Sequence, residues 1–154
     1  MVQLERFKLD DASEYLKIAK DKSTEKFFRL AYCENIEEAQ ELMELYVNSF
    51  NYEAFKVVDE RGNIVGAILG EKKTNKVLDV CYFISSKMRR RGYCQEAIGQ
   101  FAKYVSENTE YKELQFCIRH NNKASKTFME KKMKIKPAYS TKMFIHYKQD
   151  ILKF

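Results

Sequence analysis

With 45% hydrophobic and 14% aromatic residues in a length of 154, the chain has enough apolar side chain for one domain, residues 1–154, with its own core, which excludes intrinsic disorder. Residues 1–20 are broken throughout by charge and no apolar run reaches bilayer length, so no signal peptide or membrane span is expected and the protein reads as soluble and cytoplasmic. A net charge of +6, from 28 basic and 22 acidic residues, favours an anionic partner: nucleic acid, a membrane surface or a polyphosphate.

Val2 to Leu9 reads as a strand. Asp11-Ala12-Ser13-Glu14 has the pattern of a capping box, and Ala12, Tyr15, Leu16 and Ala19 follow at helical spacing. Thr24 to Ala31 reads as a short helix and Ile36 to Val47 as a longer one. Ala54–Val58 and Ile64–Leu69 flank Asp59-Glu60-Arg61-Gly62-Asn63, which has hairpin chemistry. After a turn at Thr74-Asn75, Val77 to Ser85 gives a third strand of a meander.

The pattern then changes. Arg89-Arg90-Arg91-Gly92 leads into a helix with Cys94, Ala97, Ile98, Phe101, Ala102 and Val105 on one stripe. Glu113–Ile118 is a strand, and Asn122–Lys132 a helix with Ala124 and Phe128 inward. Thr141–Tyr147 is a strand with Met143, Ile145 and Tyr147 alternating. Leaving the short helix aside, the order is β-α-α-β-β-β-α-β-α-β. The strand–helix–strand unit around Gly92 requires a parallel crossover in a mixed sheet. The fold class is therefore α/β, a mixed sheet flanked by helices.

Cys33, Cys81, Cys94 and Cys117 are widely spaced with no CxxC pair, and read as buried reduced thiols. His120 and His146 have no second ligand near them in sequence, so no metal site is expected.

The sharpest feature is Ile84-Ser85-Ser86-Lys87-Met88-Arg89-Arg90-Arg91-Gly92-Tyr93-Cys94. A strand ends, a basic loop follows, and a helix starts near a glycine. Helix N-termini leave amide groups unpaired and carry partial positive charge, so anions bind there. Gly92 lets the backbone approach a ligand, and the arginines add charge. A capped helix behind a solvated basic loop would give the same composition. No Walker loop is present.

Arg89-Arg90-Arg91-Gly92-Tyr93-Cys94-Gln95-Glu96-Ala97-Ile98 resembles motif A, Q/R-x-x-G-x-G/A, of the GNAT family of N-acetyltransferases. Arg89 fills the first position, Gly92 the fourth, and Cys94 stands where Gly or Ala is usual. Asn122-Lys123-Ala124-Ser125 resembles the N-x-A-S start of motif B. The resemblance implies a GNAT-like fold and acetyl-coenzyme A as cosubstrate, with a primary amine of a small molecule or peptide as acceptor. It implies that the loop amides around Arg89–Cys94 hold the pyrophosphate, and that Asn122 and Ser125 meet the pantetheine arm. It also implies that the main chain of Tyr82, Phe83 and Ile84 polarises the thioester where Val77–Ser85 and Glu113–Ile118 splay apart.

Two departures stand out. The Gly-Phe that often follows motif B reads Met133-Lys134 here. The tyrosine often found seven residues after the motif B asparagine is Met129.

Catalytic candidates are Asp79, as a base acting through water, and Tyr82 or Tyr139 as acids. Phe27, Phe28, Tyr32, Tyr46, Phe50 and Tyr52, with Glu37, Glu38 and Glu41, would suit a cationic amine. Two other functions compete: a catalytically silent acyl-coenzyme A-binding module of the same fold, and a basic nucleic-acid-binding domain, which lacks an aromatic platform here. No membrane partner is expected, and a homodimer is compatible with every reading.

Overall fold

The structure, a computed structural model, describes residues 1–154. Seven strands form one sheet in the order β1-β2-β3-β4-β5-β7-β6, with β1 Gln3–Arg6, β2 Tyr52–Val58, β3 Ile64–Lys72, β4 Val77–Ile84, β5 Glu113–Arg119, β6 Pro137–Ser140 and β7 Phe144–Asp150. Only the β4–β5 junction is parallel, and α4, Tyr93–Asn108, is its crossover. The mixed, mostly antiparallel sheet expected from the element order is what forms.

Alternation along the strands sorts the two faces. Leu78, Val80 and Tyr82 of β4 join Leu114, Phe116 and Ile118 of β5 under the α4 stripe of Ile98, Phe101, Ala102 and Val105. Phe83 and Leu69 face the other way, into a core with α1 (Ala12–Ala19) and α3 (Ile36–Asn48). Short α2, Lys22–Phe27, lies between those two helices in sequence. Its N-terminus is fixed by Asp21, whose carboxylate accepts the Ser23 and Thr24 amides at 2.8 and 3.0 Å. That cap starts the helix two residues earlier than the expected Thr24–Ala31.

The Asp11 capping box does not form at α1. Lys56 is 7% exposed on β2 and needs a counter-charge, and the Asp11 carboxylate lies 2.9 Å from its ammonium. Asp11 also accepts the Lys8 amide, and Glu14 reaches across to the Ile64 amide at 2.9 Å. A buried ammonium outweighs a helix cap.

The expected Asn122–Lys132 helix is two pieces: α5, Lys123–Thr127, and a π-helical turn over Phe128–Lys132. Ser125 and Met129 are the buried residues, Phe128 is half-buried and Ala124 is exposed, so the inward face is one residue on from Ala124 and Phe128. The Asn122 side chain caps the Ser125 amide at 3.2 Å and sets that phase. The last strand runs Phe144–Asp150 and pairs with a strand at Pro137–Ser140 that periodicity did not mark; Met143, expected inward, is 53% exposed in the turn between them.

Candidate active site

β4 and β5 pair from Val77 with Glu113 to Val80 with Phe116, and then part. Beyond that point each strand keeps its other neighbour: β4 follows β3 as far as Ile84 with Gly66, and β5 follows β7 as far as Arg119 with Phe144. Two strands committed to opposite halves of a twisted sheet leave a wedge between them. The Ser85 amide donates to Val65 on the β3 side, while the Ile84 carbonyl accepts Arg89 Nε at 3.0 Å on the other. Strand alternation then turns the Tyr82 and Ile84 amides toward the wedge.

The loop above the wedge ends in an unusual helix start. Arg90 has φ 63°, and Gly92, the α4 N-cap, has φ 79°. No side chain caps the first turn of α4. Glu96, the acid in that turn, is drawn off to the Val2 amide at 3.0 Å. The first-turn amides stay free for an anion, at the positive end of a sixteen-residue helix dipole. A Cβ placed at Gly92 would find no protein atom within 4 Å, so the space over this turn is open to a ligand.

Wedge and helix start belong to one cavity of about 920 Å³. Phe27 and Phe28 wall one side; Tyr82, Phe83 and Ile84 form the base; Arg89, Arg90, Gly92, Tyr93, Cys94 and Gln95 form one rim; Asn122 to Ser125, Thr127, Phe128 and Lys132 form the other. Arg89, Arg90, Lys123 and Lys132 all line it, and no carboxylate does. Such a lining suits a polyphosphate at the rim and an apolar arm at the base.

The Tyr82 hydroxyl is the telling group on the base. The residue is 7% exposed, packs against Phe28, Phe116 and Phe128, and leaves its hydroxyl without a hydrogen-bond partner. Burial raises its pKa well above that of free tyrosine, neighbouring Cys94 adds to this, and Ser125 opposes it. An orphaned buried hydroxyl costs about 1–3 kcal/mol unless something meets it. The polar group beside it is the Ser125 side chain. The free amides and the open space at Gly92 both fit coenzyme A.

Ten of the eleven cofactor-binding positions expected from sequence line this cavity: Tyr82, Phe83, Ile84, Arg89, Arg90, Gly92, Tyr93, Cys94, Asn122 and Ser125. Arg91 is exposed and lies outside it. Of the catalytic candidates only Tyr82 lines it. Asp79 sits before the wedge opens, in register with Gln115, and its pKa is raised by burial. Tyr139 stacks on His146 at 4.2 Å, near Gln115 on the far side of β5. Neither reaches the cavity: Asp79 lies where β4 and β5 are still paired, and Tyr139 is held by β6 at the outer edge of β7.

The expected acceptor aromatics also divide. Phe27 and Phe28 are in the cavity wall, whereas the Tyr46 hydroxyl donates to the Leu30 carbonyl within the core and Phe50 is fully exposed. Glu37, Glu38 and Glu41 point to solvent from α3, so no acidic patch faces the cavity. Lys123, Lys132 and Gln95 were not expected in the site from sequence, and Phe128 was expected only as an inward helix residue. Gln95 is placed by the first turn of α4, and the other three by the α5 cap and the π turn, which periodicity does not reveal.

A second departure concerns the thiols. Cys117 is exposed on β5, 3.9 Å from His146, and is not the core residue that its strand position suggested. Alternate strand residues face opposite sides, and its side lacks a covering helix. Burial raises the pKa of Cys94 far above the normal thiol value, leaving it inert.

A family model for the acetyltransferase (GNAT) domain matches residues 2–132. No curated protein matches the sequence. Among solved structures, a GNAT-family acetyltransferase of Bacillus anthracis is similar at 17% identity and TM-score 0.82, covering 99% of this chain and 95% of its own. The spermidine N-acetyltransferase of Vibrio cholerae, solved with coenzyme A and spermine, is similar at 10% identity and TM-score 0.82, covering 99% and 96%. No helix here is long and apolar enough to cross a membrane, and no cluster of His, Cys, Asp and Glu could hold a metal ion. With its family model spanning most of the sequence and its fold matched over nearly the whole length, the chain belongs to the GNAT acetyltransferase family.

Proposed function

We propose that the protein transfers an acetyl group from acetyl-coenzyme A to a primary amine. The observation that carries this reading is the wedge beyond Val80 and Phe116, which leads from an acid-free, basic rim at the α4 N-terminus to an apolar base. Acetyl-coenzyme A, when bound, supplies the activated acetyl group.

The free amides of the Gly92 turn, with Arg89 and Arg90, take the negative charge of the pyrophosphate. Asn122 and Ser125 flank the arm. The Ile84 or Tyr82 amide, facing the wedge, donates to the thioester carbonyl and stabilises the charge that builds on its oxygen. A neutral amine, held beside Phe27 and Phe28, attacks the carbonyl carbon with its nitrogen lone pair. The C–N bond forms as the C–S bond breaks, the bonding pair leaves on sulfur, and one proton passes from nitrogen to sulfur. An acceptor that arrives as an ammonium first loses one proton to water. Direct attack is favoured because Cys94, the only thiol in the cavity lining, is held protonated.

Tyr82 is the candidate relay for that proton, its buried and firmly protonated hydroxyl giving one proton to sulfur and regaining the one that nitrogen loses. Its role is tested by Tyr82→Phe, which should lower kcat across the neutral range without moving the pH profile, while leaving acetyl-coenzyme A affinity within about threefold. The function as a whole is tested by thiol release with a panel of primary amines, with the acetylated product identified by mass. One observation favours the silent binding module: Met129, at the tyrosine position of many family members, is fully buried. Tight coenzyme A binding without thiol release for any amine would select that module.

A further inference from the structure

α2 is shared by two hollows. On one side Phe27, with Phe28 after it, walls the large cavity. On the other, Lys22, Lys26 and Arg29, with Glu25 among them, line a second hollow of about 440 Å³. Arg119 completes it from the end of β5, where that strand has already left β4. The second hollow therefore shares α2 and the free end of β5 with the open end of the wedge.

Its charge is one-sided. Four cations meet one carboxylate, Glu25. None of the four cations is ion-paired; the ion pairs of the molecule are those of the N-terminus with Glu60, Arg6 with Glu53, and Lys56 with Glu5 and Asp11. Lys22 and Lys26 are one turn apart, where like charges weaken a helix. The Lys26 ammonium lies 5.0 Å from the centre of the Phe27 ring, so the positive field reaches the wall of the large cavity. Unpaired cations around a concavity concentrate anions and repel cations.

We infer that this hollow takes the carboxylates of an acidic acceptor, so that the amine offered to the wedge belongs to a carboxylate-bearing molecule and polyamines are rejected. This rests on acetyl transfer in the large cavity. Free acidic amino acids and acidic peptide N-termini present the same chemistry.

The test is thiol release with aspartate, glutamate, a short peptide beginning Ala-Asp-Glu, glycinamide and spermidine. It is run on the wild type, on Lys26→Glu/Arg29→Glu, and on the milder Lys22→Gln, with acetyl-coenzyme A affinity measured by calorimetry. The expected order of kcat/KM is acidic acceptors, then glycinamide, then spermidine. The amino acids and the peptide separate the two sources by which is turned over faster. The double reversal should cost the acidic acceptors about 10- to 100-fold, mainly in KM, and should raise spermidine turnover. Lys22→Gln should move the same way by a few-fold, with cofactor affinity unchanged in all three proteins.

Preference for spermidine, or an unchanged KM for acidic acceptors in both variants, overturns the inference while acetyl transfer stands. A loss of acetyl-coenzyme A affinity in the double variant also overturns it, by making the hollow a phosphate site. Failure of every amine in the wild type removes acetyl transfer, and the inference with it.

Discussion

Arg89 and Ser23, 66 residues apart in sequence, are joined by a 2.8 Å hydrogen bond from the guanidinium Nη2 to the hydroxyl. The same guanidinium donates through Nε to the Ile84 carbonyl at the end of β4. The loop that begins α4 thus holds α2, and with it Phe27 and Phe28, against the cavity. Ser23→Ala removes this tie and no charge. It should raise the acceptor KM about fivefold, the value of roughly 1 kcal/mol for one hydrogen bond, and change acetyl-coenzyme A affinity less than twofold. Arg89→Ala should weaken both, because it also deletes a cation from the rim. Steady-state kinetics with calorimetry separates the two variants.

Met129 has no exposed surface and packs in the core formed by β4, β5 and α4. Met129→Ala should cost about 2–5 kcal/mol in denaturant unfolding. Met129→Tyr should not improve turnover, because the ring would enter the core and not the cavity. It should instead lose about 1–3 kcal/mol to overpacking. A gain in kcat with unchanged stability would show that this position faces the thioester.

Thiol labelling reads the cavity independently. Cys117 is exposed, Cys33 is buried with its thiol pushed up to about 11, and burial pushes the Cys81 thiol up to about 12. Iodoacetamide at neutral pH should label exposed Cys117 first, although desolvation raises its pKa, half-buried Cys94 and Cys81 more slowly, and Cys33 only once the protein is unfolded. Labelling of Cys94 as fast as Cys117, read by peptide mass, would contradict the geometry.

Asp79 gives a pH test. Burial raises its folded pKa above the unfolded value, and Lys73, His146 and Lys148 only partly offset this. One of its oxygens, Oδ1, has no hydrogen-bond partner. In the interval between the two values the native state binds more protons, so stability falls as pH rises through it and stays lower above the folded value. Asp79→Asn should therefore raise Tm at pH 7 and make little difference near pH 3, where both states are protonated. A loss of stability at pH 7 would mean that the ionised carboxylate has a favourable partner.

Much of the cavity was legible in sequence because its chemistry is local. Arg89 to Cys94 must present free amides within a single turn, and Asn122 and Ser125 sit one helical turn apart, so short patterns carried both. The meander was legible from alternation and from the Asp59–Asn63 turn. What escaped depends on distant partners. Lys56 claimed Asp11 from β2, a π turn moved Met129 inward, and the β6–β7 pairing carried Tyr139 away from the cavity. The placement of the carboxylates expected beside the aromatics escaped for the same reason. Glu37, Glu38 and Glu41 are close in sequence to the aromatics, but α3 turns them to solvent, whereas Arg119 comes to α2 only through the fold.

The most direct measurement is calorimetric titration of acetyl-coenzyme A into wild type, Gly92→Ala and Gly92→Glu. A Cβ at Gly92 meets no protein atom beyond its chain neighbours, and the positive φ costs about 1–2 kcal/mol of stability in both variants, so thermal unfolding of all three proteins accompanies the titration. Saturable binding to the wild type, weakened by alanine and abolished by glutamate, is the expected result. Equal affinity in all three proteins would mean that the first turn of α4 does not hold the pyrophosphate.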